Sequence, residues 1–137
     1  MCRRFAKVNS FDEVRELCKK GDLSKIDLRI SDVSEVEIPT LPKDITAANF
    51  GKFEEGATRA DILLGIVNTV FETIAMLAVF ATRNDDIKDV VLIGNIVSLP
   101  VVKDIIEKIE NLYNITFIIP ENPEYAVALG AIIASIK

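Results

Sequence analysis

The chain contains no histidine, and its two cysteines, Cys2 and Cys18, lack the spacing of a zinc site. Two cysteines are also too few for a disulfide framework, so a reducing cytoplasm is the expected setting. Glycine is sparse: Gly21, Gly51, Gly56, Gly65, Gly94 and Gly130 are widely spread. There is no Walker A pattern and no G-x-G-x-x-G, so no segment offers a cluster of backbone amides for a triphosphate. No candidate catalytic carboxylate follows an N-terminal strand, and no residue is assigned a catalytic or metal-binding role. Positive charge is short as well. The formal net charge of −5 argues against nucleic acid or an anionic membrane as the main partner, and the Arg3-Arg4 pair is too short for a binding tail. No apolar core followed by small residues marks a signal peptide at the N-terminus.

What is present is a globular chain of 137 residues, half of them apolar, with room for one domain and one sizeable core. "NSFDEVRELCKKGD" predicts a short helix. Ser10 and Glu13 form a capping box, Phe11, Val14, Leu17 and Cys18 share a face, and Gly21 suits the C-cap. "SKIDLRISDVSEVEIP" fits helix and strand alike, and Pro39 and Pro42 then mark a loop. "DITAANFGK" reads as a short extended stretch ending at Phe50-Gly51.

A second helix starts at Thr58, capped reciprocally with Asp61, and runs to about Thr82. Asp61, Gly65, Asn68 and Glu72 recur at intervals of four, three and four and so share one face. A solvated stripe is the expected reading of that face. Nearly all other positions are apolar, which calls for cover on most sides, from the domain's own core or from a second partner. The segment is long enough for a membrane span, but Asn68 and Glu72 in its middle are costly in hydrocarbon, so no membrane helix is expected. Glu35 with Glu37 and Glu54 with Glu55 read as solvated loop charges.

The last fifty residues read β-α-β-α. "VVLIG" is a short continuous apolar run, as in a strand buried on both faces. Ser98 and Pro100 open a helix whose apolar stripe is Val101, Val102, Ile105, Ile106, Ile109, Leu112 and Tyr113. "ITFII" is a second strand, expected parallel to the first. "ENPEYAVALGAIIASIK" is a last helix, with Asn122 at the N-cap, Pro123 at the first position, and Ala126, Gly130 and Ala134 allowing close approach to the sheet. Ligands of open α/β sheets gather beyond the carboxyl ends of strands, which is where Gly94 and Asn95 fall. Gly94 would let a flat ring or phosphate lie against bare backbone, and Asn95 offers two donors and an acceptor. Ordinary Gly-Asn turn chemistry accounts for the same pair. Phe50 could line a pocket or plug the core, and Tyr125 reads as a partly buried structural tyrosine.

Taken together, "DITAANFGK", "ATRADILLGIVNTVFETIAMLAVFA", "VVLIGN" and "IPENPEYAVALGAII" resemble the C-terminal half of the type II (eukaryotic and staphylococcal-type) pantothenate kinases. The resemblance spans roughly Phe11 to Lys137 and is specific as a set. The stretch Ile30-Ser31-Asp32-Val33-Ser34 departs from the family's Asp-Ile-Tyr-Gly pattern. The resemblance implies an α/β, ribonuclease-H-like domain of the actin-like ATPase superfamily, the second lobe of a kinase whose N-terminal lobe is absent. It implies ATP, with Gly94 and Asn95 bordering the adenosine, and Mg²⁺ held outside this chain. It implies a homodimer through the helix from Ala60 to Ala81, with Thr46 and Ala47 approaching the pantothenate site of the opposite subunit. A chain carrying only this half is expected to be inactive alone, as a truncated gene, part of a split gene or a fragment. A non-catalytic interaction domain pairing through the apolar helix is the alternative.

Overall fold

The computed structural model describes residues 6–36 and 38–136; Cys2, the Arg3-Arg4 pair and Glu37 lie outside them. The chain divides into two compact units, with the boundary between Ile74 and Ala75.

The first unit opens with α1 (Phe11–Cys18). Its capping box is half as expected. The Glu13 N–H donates to Ser10 Oγ at 3.1 Å, but the Glu13 carboxylate accepts from the N–H of Asn9, not of Ser10. Gly21 is not the helix cap, because the cap falls at Lys19. Its missing side chain serves packing instead: a Cβ there would meet Ala60 O at 2.6 Å and Leu64 Cβ at 2.7 Å. The stretch with mixed periodicity becomes a short 3₁₀ turn (Leu23–Lys25), strand β1 (Leu28–Arg29) and the one-turn helix α2 (Ile30–Val33). Both periodicities were real, each over a few residues. Strand β2 (Thr46–Ala48) pairs antiparallel with β1, with Leu28 opposite Ala48.

Helix α3 (Arg59–Thr82) supplies the wall of this unit. The Thr58–Asp61 cap is present: the Asp61 N–H donates to Thr58 Oγ1 at 3.3 Å, and the Thr58 N–H donates to Asp61 Oδ2 at 2.7 Å. Leu63, Leu64, Ile66, Val67 and Phe71 are buried with Ile26, Cys18 and Val8. Beyond Ile74 the helix belongs to the second unit, and there Leu77 and Phe80 are exposed. By length and composition α3 could cross a membrane, yet its first half is a core helix with Asp61 and Asn68 buried and bonded.

The second unit continues with β3 (Asp89–Val91), a 3₁₀ turn (Asn95–Ser98), α4 (Val101–Tyr113), β4 (Thr116–Ile118), a 3₁₀ turn (Pro123–Tyr125) and α5 (Ala126–Ser135). Strands β3 and β4 are parallel as expected, with Val90 opposite Phe117. Helix α4 buries Val102, Ile105, Ile106 and Ile109, while Tyr113 is exposed. Glu110 ties α4 to β4 by accepting the Phe117 N–H.

Two expectations fail in this unit. The "VVLIG" strand is not buried on both faces. Leu92 and Phe117 are covered, but Val91, Ile93 and Ile118 on the other side stay exposed. The physical reason is that, among its described residues, the second unit has only two strands and no second layer of its own over that side. The last helix does not approach a sheet either. None of its residues is buried, and a Cβ on Gly130 would meet no atom within 4 Å.

Candidate functional site

Two regions gather polar or special backbone groups. The first lies beyond the carboxyl ends of the parallel strands. Here β3 runs out through Leu92, whose N–H still donates to Ile118 O at 2.9 Å. Gly94 then turns with φ +109° and ψ 166°, a conformation essentially confined to glycine. Its N–H donates to Pro123 O at 2.8 Å, which draws the two 3₁₀ turns together. A Cβ at Gly94 would meet nothing within 4 Å, so the backbone there borders open space. Asn95 is exposed, and its carbonyl accepts from Ser98 Oγ at 2.7 Å. Asn122 precedes the second turn with φ +52°, but its side chain caps nothing. Tyr125 follows, 59% exposed rather than the partly buried residue expected, because no described element of the second unit covers this end of α5. The arrangement offers a side-chain-free stretch of backbone, one amide and one phenol at the end of a parallel sheet.

A separate hollow of about 410 Å³ lies at the other end of the strands. Arg83, Lys88, Phe80, Tyr113 and Asn114 are among its walls.

The second region is buried inside the first unit. Asp27 is 1% exposed. Its carboxylate accepts the Phe50 N–H at 2.8 Å and the Asn68 amide at 2.8 Å. The same amide reaches Thr46 Oγ1 at 3.4 Å, and Asn49 donates to Glu72 at 2.6 Å. Burial pushes the Asp27 carboxyl above its usual range, against the two donors, and the nearby Glu72 charge adds to the rise. Asp61, equally hidden, goes the other way. Burial would raise it, but the Thr58 N–H and hydroxyl, the Asp22 N–H and Lys25 together hold it below the usual range. The face of Asp61, Gly65, Asn68 and Glu72 is therefore not a solvated stripe. It is the polar seam by which α3 holds the 22–50 segment, and Gly65 leaves space for Ile26 and the Phe50 ring.

Asp27 was not singled out by sequence reasoning. Its signal was present: a carboxylate between Ile26 and Leu28, in the same chain as an asparagine on an apolar helix. Thr46 belongs to this seam, whereas Ala47 is exposed on β2. The tip of the Phe50 ring reaches over Gly65, while the rest of the residue stays outside the core. It lies partly exposed beside Phe53, with φ +55°. Gly94 and Asn95 are thus brought together with Pro123 in the second unit, while Thr46 and Ala47 sit in the first. Among the described residues no three His, Cys, Asp or Glu side chains group as a metal site.

In open α/β sheets ligands gather beyond the carboxyl ends of the strands, which is where the Gly94 turn lies. Residues 1–118 match the family model described as Fumble, and the chain belongs to that family. It is similar to the type II pantothenate kinase of Staphylococcus haemolyticus, 28% identical over 132 residues, covering 93% of this chain and 50% of that protein. The type II pantothenate kinase of Oceanobacillus iheyensis is 26% identical over 134 residues, covering 94% of this chain and 50% of that protein. A Staphylococcus epidermidis enzyme of the same name is 28% identical over 130 residues, 91% of this chain and 49% of its own length. The resemblance seen in the residues is thereby borne out, and the chain spans about half the length of the curated relatives it matches.

Proposed function

We propose that this chain is the C-terminal, adenosine-binding and dimer-forming half of a type II pantothenate kinase, a cytoplasmic enzyme of coenzyme A biosynthesis. The fold of this half is the second lobe of an actin-like ATPase. The observation that carries the reading is Gly94, with φ +109° at the end of a parallel strand and open space beside it. A purine can rest on that bare backbone while Asn95 bonds its edge or its ribose. In the reaction, the pantothenate hydroxyl oxygen attacks the γ-phosphorus of ATP. The bond to the β–γ bridging oxygen breaks, and the hydroxyl proton passes to a base. The phosphate loops, the base and the Mg²⁺ ligands belong to the half these residues do not match. This half binds and orients the nucleoside, and the segment at half-buried Thr46 and exposed Ala47 closes on the pantothenate site of an opposite subunit.

Dimerisation draws on the end of α3. Most positions from Ala60 to Phe71 are spent in the first unit's core, and Ile74, Leu77 and Phe80 are exposed side chains left for a second copy. The same three exposed residues favour the second reading, an interaction domain with no nucleotide role. Titration with a fluorescent ATP analogue separates the two. Saturable binding that weakens at least tenfold in Asn95→Ala and in Gly94→Val supports the nucleotide reading; unchanged or absent binding supports the interaction domain. Pantothenate phosphorylation by the purified chain alone is expected to be at background, and robust turnover would refute the assignment of the chemistry to the other half.

A further inference from the structure

We propose that the hollow at the N-terminal ends of β3 and β4 binds a small organic anion, a phosphate monoester with a compact apolar or aromatic body. The Gly94 turn lies at the opposite ends of the same strands, so this site is separate from the nucleotide reading and does not depend on it.

The second unit builds the hollow by itself. The walls come from the end of α3, the connection through 83–88, the end of α4 and the two residues after it. Backbone bonds hold both lips. On one, the Asp85 N–H donates to Thr82 O at 3.1 Å; on the other, the Asn114 N–H donates to Glu110 O at 2.9 Å. The Thr116 N–H ties the two together by donating to Lys88 O at 2.7 Å. The volume of about 410 Å³ is within the range of about 300–1,000 Å³ usual for small-molecule pockets. A cavity of about 150 Å³ accepts one benzene ring. There is room here for a ring, its charged group and some water.

The lining has two chemical characters. Half-buried Val79 and Leu112 and buried Ile115 give it an apolar part, and Ile87 and Tyr113 extend that part while 51% and 44% exposed. The polar part is led by Arg83 and Lys88. Neither forms a side-chain hydrogen bond or an ion pair with another described residue, whereas Lys52 and Arg59 in the first unit each hold a carboxylate. Asp86 supplies one opposing charge, so the walls keep a net positive charge in a chain whose total of −5 repels anions in general. Two cations select for a dianion. A phosphate monoester carries about −1.5 to −2 at neutral pH, enough to engage the Arg83 fork and the Lys88 ammonium together. A single carboxylate would satisfy only one of them. The Asn114 amide adds a neutral donor. Phe80 stands at the margin and is also left for a second copy, but the site as argued does not need it.

The test titrates the 137-residue chain with phenyl phosphate and, separately, with its two halves, phenol and inorganic phosphate. Two-dimensional NMR follows the amides of 79–88 and 112–115 and the Tyr113 ring, which Tyr125→Phe identifies because the chain has only two tyrosines. Phenyl phosphate should shift these signals saturably, with a Kd at least tenfold below that of either half. Arg83→Gln and Lys88→Gln should each weaken binding at least threefold. Both side chains are exposed, so unchanged circular dichroism is expected of both variants. Lys20→Gln, the same loss of charge on the first unit, should leave the Kd as it was. Absence of a saturable shift overturns the proposal. So does either half binding as tightly as phenyl phosphate, indifference to Arg83→Gln and Lys88→Gln together, or shifts that centre on residues 94–98 instead.

Discussion

The two units solve the same problem to different degrees. The first buries its polar groups and satisfies them: Asp27, Asp61 and Asn68 are almost inaccessible, and each has its donors or acceptors in place. The second buries one face of a two-stranded sheet and leaves the other face and a whole helix uncovered. A buried polar seam specifies its partners atom by atom, so it is complete or costly. An apolar face specifies only contact and can wait for a partner. The comparison therefore teaches where the chain is finished and where it is open.

The largest expected effect comes from making the same cut in both units. Leu63→Ala, at a fully buried site, should cost about 2–5 kcal/mol, while Leu129→Ala on α5 should cost less than about 0.5 kcal/mol. Urea unfolding followed by hydrogen exchange in each unit measures both. Equal losses would erase the contrast. Glycines give the next test. Gly21→Ala should destabilise by about 1–3 kcal/mol, because its Cβ collides with the Ala60 carbonyl. Gly130→Ala should stabilise the isolated chain, by up to about 1 kcal/mol, since the new methyl meets nothing and alanine favours helix.

The smallest effect sharpens the account of the first unit, and its sign separates two aspartates. Asp61 is held below its unfolded value. It adds stability above about pH 4, the ordinary aspartate range, and that stability is lost as pH falls through the folded value. Asp27 is raised. The folded state holds its proton longer, so its contribution falls as pH rises from about 4 through the folded value. Stability–pH curves should therefore lose part of their rise in Asp61→Asn and part of a fall in Asp27→Asn. Curves displaced in the same direction by both variants would contradict the seam as described.

Much of this was legible in residues. The caps at Ser10 and Thr58, the span of α3, the parallel β-α-β order and the glycine turn at Gly94 all follow from local chemistry and periodicity, which the structure keeps. The burial of the Asp61 face was not legible, because periodicity shows which residues share a side and not what lies opposite. Asp27, forty-one positions from Asn68, is what lies opposite. The exposure of Val91 and of α5 was missed for a related reason. An apolar run states what a strand or helix requires, whereas the number of neighbouring strands decides whether the requirement is met.

One carboxylate also has a say in the order of events. Asp61 gathers the Thr58 N–H from its own turn and the Asp22 N–H from thirty-nine residues away. The opening of the longest helix is thus secured by a distant contact as well as by its own cap. Substitutions at Asp61 should slow folding as well as speed unfolding, because closing that long loop and fixing that first turn are joined at one side chain.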